Sequence, residues 1–396
     1  MEHVRGLGVD GTPVAPAEPH FPLSVALLTS TPLTDGNAVD IALNGNGTFP
    51  RMWEDLRSAN SAILIQNYYG KPGAVADTLA KILLERAAAG VRVLVLYDAF
   101  GSPMESERVE QLQEGGVAIH PFRPLHLTSL WRVQNRSHVR AVVVDGITAW
   151  TGGFGIDDKW LGDGITNSAW RETNVRFQGP AVLQIQAAFA AAWAEVTGVL
   201  ITGRATVQPA TQNGVKAGLL YASPTLASTV AERFFAMSIA GAQKSIYITN
   251  SYFVPDENFV DLLIRAAERG VDVRVLVGGA RTDVSITRMA GRARYESLLN
   301  AGVRVYEWQP TTLHSKTFVM DGVWSTIGTM NFDNRSLALN EEVSLMVLDE
   351  GVGARMNEIF MNDLQHSTEI TAATFALRPW YERVKEWGAD RLTRLL

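Results

Sequence analysis

The chain repeats itself once, and this internal repeat constrains the fold more than any other feature of the sequence. In each copy, a strand ending in polar and aromatic residues is followed by a segment with helical spacing of apolar residues, then by two further strands. Alternation of strand and helix indicates a parallel α/β sheet in each copy. The matched segments are 59–69 with 242–252, 76–90 with 259–270, 91–99 with 271–280, and 116–124 with 302–310.

The repeat predicts an α/β chain of two homologous lobes, each a mixed, mainly parallel sheet flanked by helices, packed as a pseudo-twofold pair. We expect an N-terminal extension at 1–37, a first lobe at 38–205 and a second lobe at 206–396. Parallel sheets bind ligands at the carboxyl ends of their strands, so polar residues at those ends are candidates for the walls of a site. They are Gln66, Asn67, Asn250 and Tyr252.

The composition supports a globular chain and limits its partners. With 46% hydrophobic and 19% charged residues, 396 residues suffice for a sizeable core. The net charge of −6 argues against a nucleic-acid-binding protein but leaves room for a local basic cleft. The absence of cysteine excludes disulfides, cysteine metal sites and thiol nucleophiles. The most apolar stretch, 182–201, is broken by Gln184, Gln186 and Glu195, and the N-terminus lacks a signal pattern, so we expect any membrane contact to be peripheral.

One chemical motif occurs in both halves at a constant offset. A histidine is followed two residues later by a cation, then by an Asp-Gly pair and a glycine-containing segment, and matching positions differ by 176 (for example 314 − 138). Residues two apart on a strand share a face, so each histidine lies beside a cation. The cation can hold phosphate oxygens while the imidazole attacks or donates a proton. The residues are His138, Arg140 and Asp145 in the first half, and His314, Lys316 and Asp321 in the second.

The Asp-Gly pairs predict a two-residue hairpin turn after each of these strands. Asp145 and Asp321 lie roughly 23 Å along a strand from the histidines, so we expect them to anchor the turns and not to contact the phosphate. Around such a turn residue 314 pairs with residue 329, since 2 × 321.5 − 314 = 329. Thr329 and Asn331 are therefore candidate phosphate ligands.

An acidic residue begins the apolar strand after each hairpin, Glu172 in the first half and Glu342 in the second. A carboxylate on the far imidazole nitrogen fixes the tautomer and raises the basicity of the ring. We therefore expect Glu172 to orient His138 and Glu342 to orient His314, each within its own half. No group of carboxylates accompanies the histidines at ligand spacing, so the sequence predicts neither a metal nor another cofactor.

These motifs resemble those of the phospholipase D superfamily, and bacterial cardiolipin synthases in particular. The similarity covers about residues 32–396. In the first half the chain departs from the family, because Arg140 stands in place of lysine and Gly155 in place of asparagine. The resemblance rests on the paired histidine–cation–aspartate motifs, on GTMN at 328–331 and NRS at 334–336, and on the stretches 34–59, 170–182 and 304–322.

The resemblance implies an enzyme, a phosphatidyltransferase of cardiolipin synthase type. His138 would attack phosphorus to form a phosphohistidine, His314 would act as acid and base, and Lys316 and Arg140 would neutralise the phosphate without a metal. Donor and acceptor would both be anionic phospholipids, typically phosphatidylglycerol. A hydrolytic phospholipase D, a nuclease of the superfamily and a non-catalytic lipid-binding descendant remain alternatives.

Two further segments bear on membrane contact. The first half carries about ten extra residues at 125–134, which gate the site, touch lipid or form a surface excursion without a role. The stretch 376–396 predicts an amphipathic helix that either lies in a lipid interface or docks on the core, with Trp380, Val384, Trp387, Leu392 and Leu395 near one face. We expect a cytoplasmic protein held peripherally at the inner membrane, and the sequence leaves its oligomeric state open.

Overall fold

One continuous mixed sheet of fifteen strands forms the centre of the molecule, and helices pack against it. The computed structural model describes residues 13–102, 106–124, 136–167, 169–202, 214–223 and 230–393. The predicted loop at 125–134 lies outside these ranges.

The strands are β1 Thr34–Leu43, β2 Ala62–Asn67, β3 Arg92–Asp98, β4 Ala118–Phe122, β5 Ala141–Val144, β6 Thr148–Gly152, β7 Thr173–Gln178, β8 Val215–Ala222, β9 Ser245–Asn250, β10 Asp272–Gly278, β11 Arg304–Trp308, β12 Lys316–Met320, β13 Trp324–Gly328, β14 Glu342–Leu348 and β15 Ser367–Ile370. The α-helices are α1 Phe21–Thr29, α2 Asn44–Arg57, α3 Ala74–Ala88, α4 Ser106–Glu114, α5 Ala181–Thr197, α6 Val230–Gly241, α7 Glu257–Glu268, α8 Ser285–Arg292, α9 Tyr295–Asn300, α10 Glu350–Leu364, α11 Ala372–Ala376 and α12 Trp380–Thr393. A 3₁₀ turn at Asp158–Trp160 and a π-helical turn at Arg335–Leu339 follow the two hairpins.

The two halves have the same strand order. From the β1–β8 junction, the first half runs β1-β7-β6-β5-β2-β3-β4 and the second runs β8-β14-β13-β12-β9-β10-β11, with β15 added at that edge. The predicted strand–helix–strand segments are confirmed as β2-α3-β3 and β9-α7-β10, each followed by the predicted third strand, β4 or β11. The sequence repeat therefore corresponds to a repeat of topology.

The sheet is mixed, as predicted, but it is mainly antiparallel and not mainly parallel. Parallel pairing is confined to β2-β3-β4 and β9-β10-β11, where the chain crosses over through a helix. Every other strand pair among the described residues is antiparallel. Antiparallel pairs outnumber parallel ones because the hairpins β5-β6 and β12-β13 are antiparallel. The strands that follow these hairpins also pair with them in the antiparallel direction.

Each hairpin closes through three residues, so the predicted two-residue turn is wrong by one residue. Met320 pairs with Trp324, and Val144 pairs with Thr148. The aspartate of each loop has a φ of 54°, and the glycine after it has a φ of 70° or 69°, a left-handed region that favours glycine. The observed register, in which paired numbers sum to 644, moves the counterpart of residue 314 from Thr329 to residue 330.

The two halves share one core across the junction. Val175 of β7, Leu219 of β8 and Val343 of β14 belong to the same buried cluster. The N-terminal helix α1 packs on the second half, where the Phe21 ring meets the Trp324 ring edge-on at 5.0 Å. The boundaries at 37/38 and 205/206 stay predictions. Within the described ranges, no helix has the length and apolar character needed to cross a membrane.

Candidate active site

Each catalytic candidate histidine is held by the backbone of the opposite half. The His138 N–H donates to the carbonyl of Glu341 at 2.9 Å, and the His314 N–H donates to the carbonyl of Arg171 at 2.8 Å. Parallel bridges join Ser137 to Glu341 and Arg171 to Leu313 in the same way. The backbone at each histidine is therefore held by the residue that precedes the glutamate of the other half, Glu341 for His138 and Arg171 for His314.

The carboxylates cross between the halves, so the predicted pairing within each half is wrong. His138 Nδ1 lies 2.9 Å from Glu342, and His314 Nδ1 lies 2.7 Å from Glu172. All four side chains are buried. The backbone bridges explain the exchange, because they bring the start of each glutamate strand against the histidine of the opposite half. His138 and His314 thus belong to one shared site.

These pairs fix the tautomers of both rings. An ionised carboxylate only accepts hydrogen bonds, so whenever its glutamate is ionised each Nδ1–H donates to that glutamate and each Nε2 keeps its lone pair. Burial, only partly opposed by Glu342, lowers the pKa of His138 from 6.5 to about 4. Burial together with the charges of Lys316 and Arg140 lowers the pKa of His314 well below 6.5. A neutral imidazole with a free lone pair is a competent nucleophile.

The two carboxylates have different surroundings. Burial, opposed first by the Lys316 charge, raises the pKa of Glu172 from 4.5 to about 7. Glu342 instead accepts a hydrogen bond from the Thr329 hydroxyl. The Thr329 hydroxyl also accepts a hydrogen bond from the Val343 N–H at 3.0 Å. Thr329, predicted as a phosphate ligand, thus uses its hydroxyl to bind Glu342 and the backbone. The Glu172–His314 pair can therefore hold a proton at neutral pH.

The second half places its cation in a small polar network. Lys316 Nζ donates to Ser251 Oγ at 2.7 Å and to the carbonyl of His314. Ser251 in turn donates to Asn331 Oδ1 at 2.9 Å, and Asn331 Nδ2 donates to Ser336 at 3.4 Å. Burial, opposed by Glu172, lowers the pKa of Lys316 from 10.5 to about 7. Asn331 thus lies within the Lys316 network, at the end predicted for it.

In the first half Arg140 takes the place of this lysine and contacts the histidine directly. Its Nη1 donates to His138 Nε2 at 3.1 Å, and its guanidinium lies 5.6 Å from the centre of the Tyr68 ring. That ring also meets His138 edge-on at 4.8 Å. Arg140 Nε is buried and has no hydrogen-bond partner among the described residues. It is a donor available to an entering phosphate.

Gly155 is explained by a tryptophan. A Cβ added at Gly155 would lie 2.6 Å from the Trp160 ring, so a larger residue cannot coexist with that ring. With the 176 offset, Gly155 and Trp160 match Asn331 and Ser336, which hydrogen-bond to each other in the second half. The indole N–H of Trp160 donates to Glu172 at 3.4 Å. In the first half an aromatic side chain therefore replaces the polar pair of the second half. The Trp160 indole still supplies a hydrogen-bond donor to Glu172.

The two motif aspartates anchor the hairpin loops. Asp145 accepts hydrogen bonds from the backbone N–H groups of Asn60, Ser61 and Ala62 at 2.8 Å. Asp321 accepts from three consecutive N–H groups, of Gln243, Lys244 and Ser245. Neither carboxylate forms a hydrogen bond to a histidine of the described ranges. Their role is to tie the far end of each hairpin to the start of the neighbouring strand.

The strand-end residues predicted as walls have separate roles. Gln66 donates to the Ser137 hydroxyl at 2.8 Å, directly before His138. Asn67 and Asn250 bond to nearby loop backbone, at Tyr69 and Met330. The Tyr252 ring lies edge-on to His314 with centres 6.4 Å apart, and its hydroxyl donates to Asp283.

Sequence reasoning missed the aromatic side of the site. Trp160 and Trp170 pack on His314 with ring centres at 5.4 and 5.1 Å, and Lys159 lies among their rings. The repeat contained a signal for two of the missed residues. Tyr68 aligns with Ser251, and Trp160 aligns with Ser336, so positions with bulky rings in the first half have hydroxyl side chains in the second.

Comparison with known proteins identifies the family. A family model described as cardiolipin synthase, PLD-like domain, matches residues 236–364. A cardiolipin synthase of Halalkalibacterium halodurans is 33% identical over 374 residues, which cover 93% of this chain and 74% of that protein. The chain belongs to the cardiolipin synthase family. Cardiolipin synthase A of Pseudomonas putida is 34% identical over 345 residues, covering 86% of this chain and 71% of that protein.

Solved structures show the same fold at low identity. Phosphatidylserine synthase of Haemophilus influenzae Rd KW20 matches with a TM-score of 0.68 and 15% identity, over 94% of this chain and 98% of that chain. Polyphosphate kinase of Porphyromonas gingivalis matches with a TM-score of 0.58 and 13% identity, over 85% and 49%. Family and fold agree that this protein is a phosphatidyltransferase of the phospholipase D superfamily.

Proposed function

We propose that this phosphatidyltransferase makes cardiolipin from two molecules of phosphatidylglycerol through a phosphohistidine on His138. The observation that carries the proposal is the crossed pair of buried histidine–glutamate contacts, set between two buried cations. The cationic surroundings favour an anionic phosphodiester.

In the first step His138 Nε2 attacks phosphorus and the bond from phosphorus to the headgroup glycerol oxygen breaks. His314 protonates the departing glycerol, using the proton that its pair with Glu172 holds at neutral pH. Arg140, which donates to the lone pair of His138 Nε2 in the free protein, turns its guanidinium to the phosphate as the substrate enters. Lys316 holds the remaining non-bridging charge.

In the second step the headgroup hydroxyl of another phosphatidylglycerol attacks the phosphohistidine. His314 takes the proton of that hydroxyl, the phosphorus–nitrogen bond breaks, and His138 is released with its lone pair. One phosphodiester replaces another, so the reaction needs no nucleotide. The aromatic rings beside His314 limit the approach of water, which favours an alcohol as acceptor.

The test is incubation with phosphatidylglycerol vesicles and analysis of the products by mass spectrometry. We expect cardiolipin and free glycerol in equal amounts, and neither product from His138→Ala. Phosphatidic acid as the main product would replace the transferase by a hydrolytic phospholipase D. No turnover in vesicles of any headgroup would leave a lipid-binding protein.

We further propose that α12 contacts the surface of an anionic membrane. The helix docks through its acidic face, since Glu386 pairs with Arg292 and Arg378 at 2.9 Å and Asp390 pairs with Arg294 at 2.6 Å. These ion pairs neutralise acidic side chains that anionic lipid would otherwise repel. The side of the membrane stays a prediction from the sequence.

The opposite face of α12 combines apolar and basic side chains, which is the pattern of an interfacial helix. Trp380 is 75% exposed and Trp387 is 62% exposed. Arg383, Lys385 and Arg391 are also exposed. The other exposed apolar residues of this surface are Leu377, Tyr381, Val384 and Leu392. Leu395, predicted for this face, lies outside the described residues.

The variant Trp380→Ser/Trp387→Ser tests the contact without disturbing the ion pairs. We expect at least about tenfold weaker sedimentation with anionic vesicles and an unchanged melting temperature. Leu27→Ser is the matched control, because Leu27 is 75% exposed on α1, far from α12 in sequence. Equal loss of binding in both variants would contradict a specific role for α12.

A further inference from the structure

The side chain of Lys159 ends among three aromatic rings. Its Nζ lies 3.7 Å from the centre of the Tyr69 ring, 3.8 Å from that of Trp170 and 4.5 Å from that of Trp160. Trp160 and Trp170 are buried, whereas Lys159 is half-buried. Among the described residues Lys159 takes part in no ion pair. We call Tyr69, Trp160 and Trp170 the aromatic cage.

Such an arrangement is a recognition site for an ammonium group. An ammonium within about 6 Å of several ring faces is attracted by each ring, and aromatic cages of this kind bind choline-like and methylated ammonium ligands. Here the occupant is part of the chain itself. Burial lowers the pKa of Lys159 from 10.5 to about 8, so at neutral pH the cage holds a charged ammonium.

The cage adjoins the acid/base side of the active site. Trp160 and Trp170 both pack on His314, and the charge of Lys159 acts on the same imidazole. Under the proposed mechanism the headgroup alcohol leaves and enters beside His314. The lipid headgroup and the Lys159 ammonium are therefore neighbours. The cage cannot hold a cationic headgroup and the Lys159 ammonium at the same time.

The local backbone holds the lysine in place. The Asp157 side chain accepts from the Lys159 N–H at 3.0 Å, which caps the 3₁₀ turn. Asp158 accepts from the N–H groups of Ala74 and Val75 at 3.0 and 2.9 Å, which ties the turn to the start of α3. The lysine is thus presented to the rings from a fixed base.

We propose that Lys159 is a built-in occupant of an ammonium-binding cage and thereby determines headgroup selectivity, excluding lipids whose headgroup carries an ammonium. The proposal deepens the proposed function, on which its selectivity part rests. The positive charge also attracts a headgroup phosphate or hydroxyl of an anionic lipid. The position that matches Lys159 in the second half is Arg335, which is exposed and has Ser336 in place of Trp160.

Two substitutions separate the space from the charge. Lys159→Ala empties the cage, while Lys159→Met removes the charge but leaves a side chain of similar length among the rings. Arg335→Met is the matched control, because it removes a cation at the equivalent position without opening a cage. A half-buried lysine without an ion pair is dispensable for folding, and equal melting temperatures will establish that all three variants are folded.

The first measurement is a titration with tetramethylammonium followed by tryptophan fluorescence. We expect saturable binding to Lys159→Ala, and at least about tenfold weaker binding to the unsubstituted protein, Lys159→Met and Arg335→Met. Adding Trp170→Leu to Lys159→Ala should abolish the gained binding, since one wall is lost. Binding of equal strength to the unsubstituted protein, or none to Lys159→Ala, overturns the proposal.

The second measurement is transfer in vesicles that contain phosphatidylglycerol and phosphatidylcholine as competing donors. We expect Lys159→Ala to raise the share of phosphatidylcholine consumed by about tenfold, and Lys159→Met to lower turnover without that gain. Equal selectivity in the two variants overturns the role in headgroup choice. If the unsubstituted protein makes no cardiolipin, the proposed function fails, but the tetramethylammonium titration still decides whether the cage exists.

Discussion

His138 Nδ1 lies 2.9 Å from the carboxylate of Glu342, a residue 204 positions later in the chain. The contact joins the two halves of the molecule at the histidine that we propose as the nucleophile. The reciprocal contact, from His314 to Glu172, spans 142 positions in the opposite direction along the chain. Neither half contains a complete histidine–carboxylate pair, so neither half forms the active site alone.

Replacing each glutamate by glutamine tests the crossed pairing. Glu342→Gln should lower transfer about 10³-fold, because an amide no longer holds His138 in the tautomer that leaves Nε2 free. Glu172→Gln should lower transfer by a similar factor, because His314 loses its proton partner. The measurement is the initial rate of cardiolipin formation, with stability checked by thermal unfolding.

An activated donor separates the two roles. With phosphatidyl p-nitrophenol the leaving group needs no proton, so Glu172→Gln should still release a burst of nitrophenol while Glu342→Gln should not. The unsubstituted protein provides the reference burst. If the two variants exchange these behaviours, His314 is the nucleophile and His138 the acid.

The proposed mechanism requires both histidines in each chemical step. His138→Ala and His314→Ala should therefore each lower activity by several orders of magnitude on the same lipid substrate. Arg140→Lys should retain substantial activity, since the charge is kept, although the guanidinium contact to His138 Nε2 is lost. Near-normal turnover by His138→Ala would mean that the first half is only a scaffold and would falsify the two-histidine mechanism.

The local pattern of the sequence predicted the elements and the position of the chemistry. Strand alternation gave β2, β3, β9 and β10, and the constant offset of 176 placed the two motifs in equivalent hairpins. Spacing alone could not decide which glutamate serves which histidine, because alignment makes Glu172 and Glu342 equivalent in either arrangement. That choice is made by the backbone bridges between the halves, which lie far apart in sequence.

The departures from the family pattern were also beyond the sequence. Gly155 stands in place of an asparagine, and the space beside it is occupied by the ring of Trp160, five residues later, so the contact is one of side-chain packing. The C-terminal helix was predicted from its periodicity. The buried face of this helix could not be predicted from the sequence. Its acidic side chains Glu386 and Asp390 are buried because they pair with arginines outside the helix.

The pH dependence of kcat/KM should be steep on the alkaline side. Lys316 must be charged and the Glu172–His314 pair must hold a proton, and the pKa values of Lys316 and Glu172 both lie at about 7. Both functions are therefore present below about pH 7 and lost as the pH rises, giving a limiting slope of about −2. On the acid side, kcat/KM should fall only as the pH drops through about 4, where His138 gains a proton.

Lys316→Arg separates the two alkaline losses. Arginine keeps its charge throughout the range, so only the proton of the Glu172–His314 pair remains to be lost and the limiting slope should fall to about −1. Arg140→Lys is the control for a change of cation elsewhere in the site. An unchanged slope in Lys316→Arg would show that the deprotonation of Lys316 does not limit the reaction.

Transfer should continue in excess chelator. The phosphate site is supplied with charge by Lys316 and Arg140, both buried, and these cations would repel a divalent ion from the same place. The measurement is the rate of cardiolipin formation after dialysis against EDTA, with vesicles prepared in the same buffer. Complete loss of activity that one specific metal ion restores would contradict a metal-free mechanism.

The pairing of Gly155 with Trp160 can be tested by exchanging it for the arrangement of the second half. Gly155→Asn alone should destabilise the fold by about 1–3 kcal/mol, because its Cβ would overlap the Trp160 ring. Trp160→Ser alone should cost about 3–5 kcal/mol, since it leaves a cavity in the core. It also removes the indole hydrogen bond to Glu172.

In the double variant Gly155→Asn/Trp160→Ser, the asparagine no longer meets the ring and can bond to the serine, as Asn331 and Ser336 do. Its loss in free energy of unfolding should therefore be smaller than the sum of the single losses by about 1–3 kcal/mol. Denaturant unfolding of the four proteins closes this cycle. Additive losses would mean that the two positions are independent, and Gly155 would then need another explanation than the ring of Trp160.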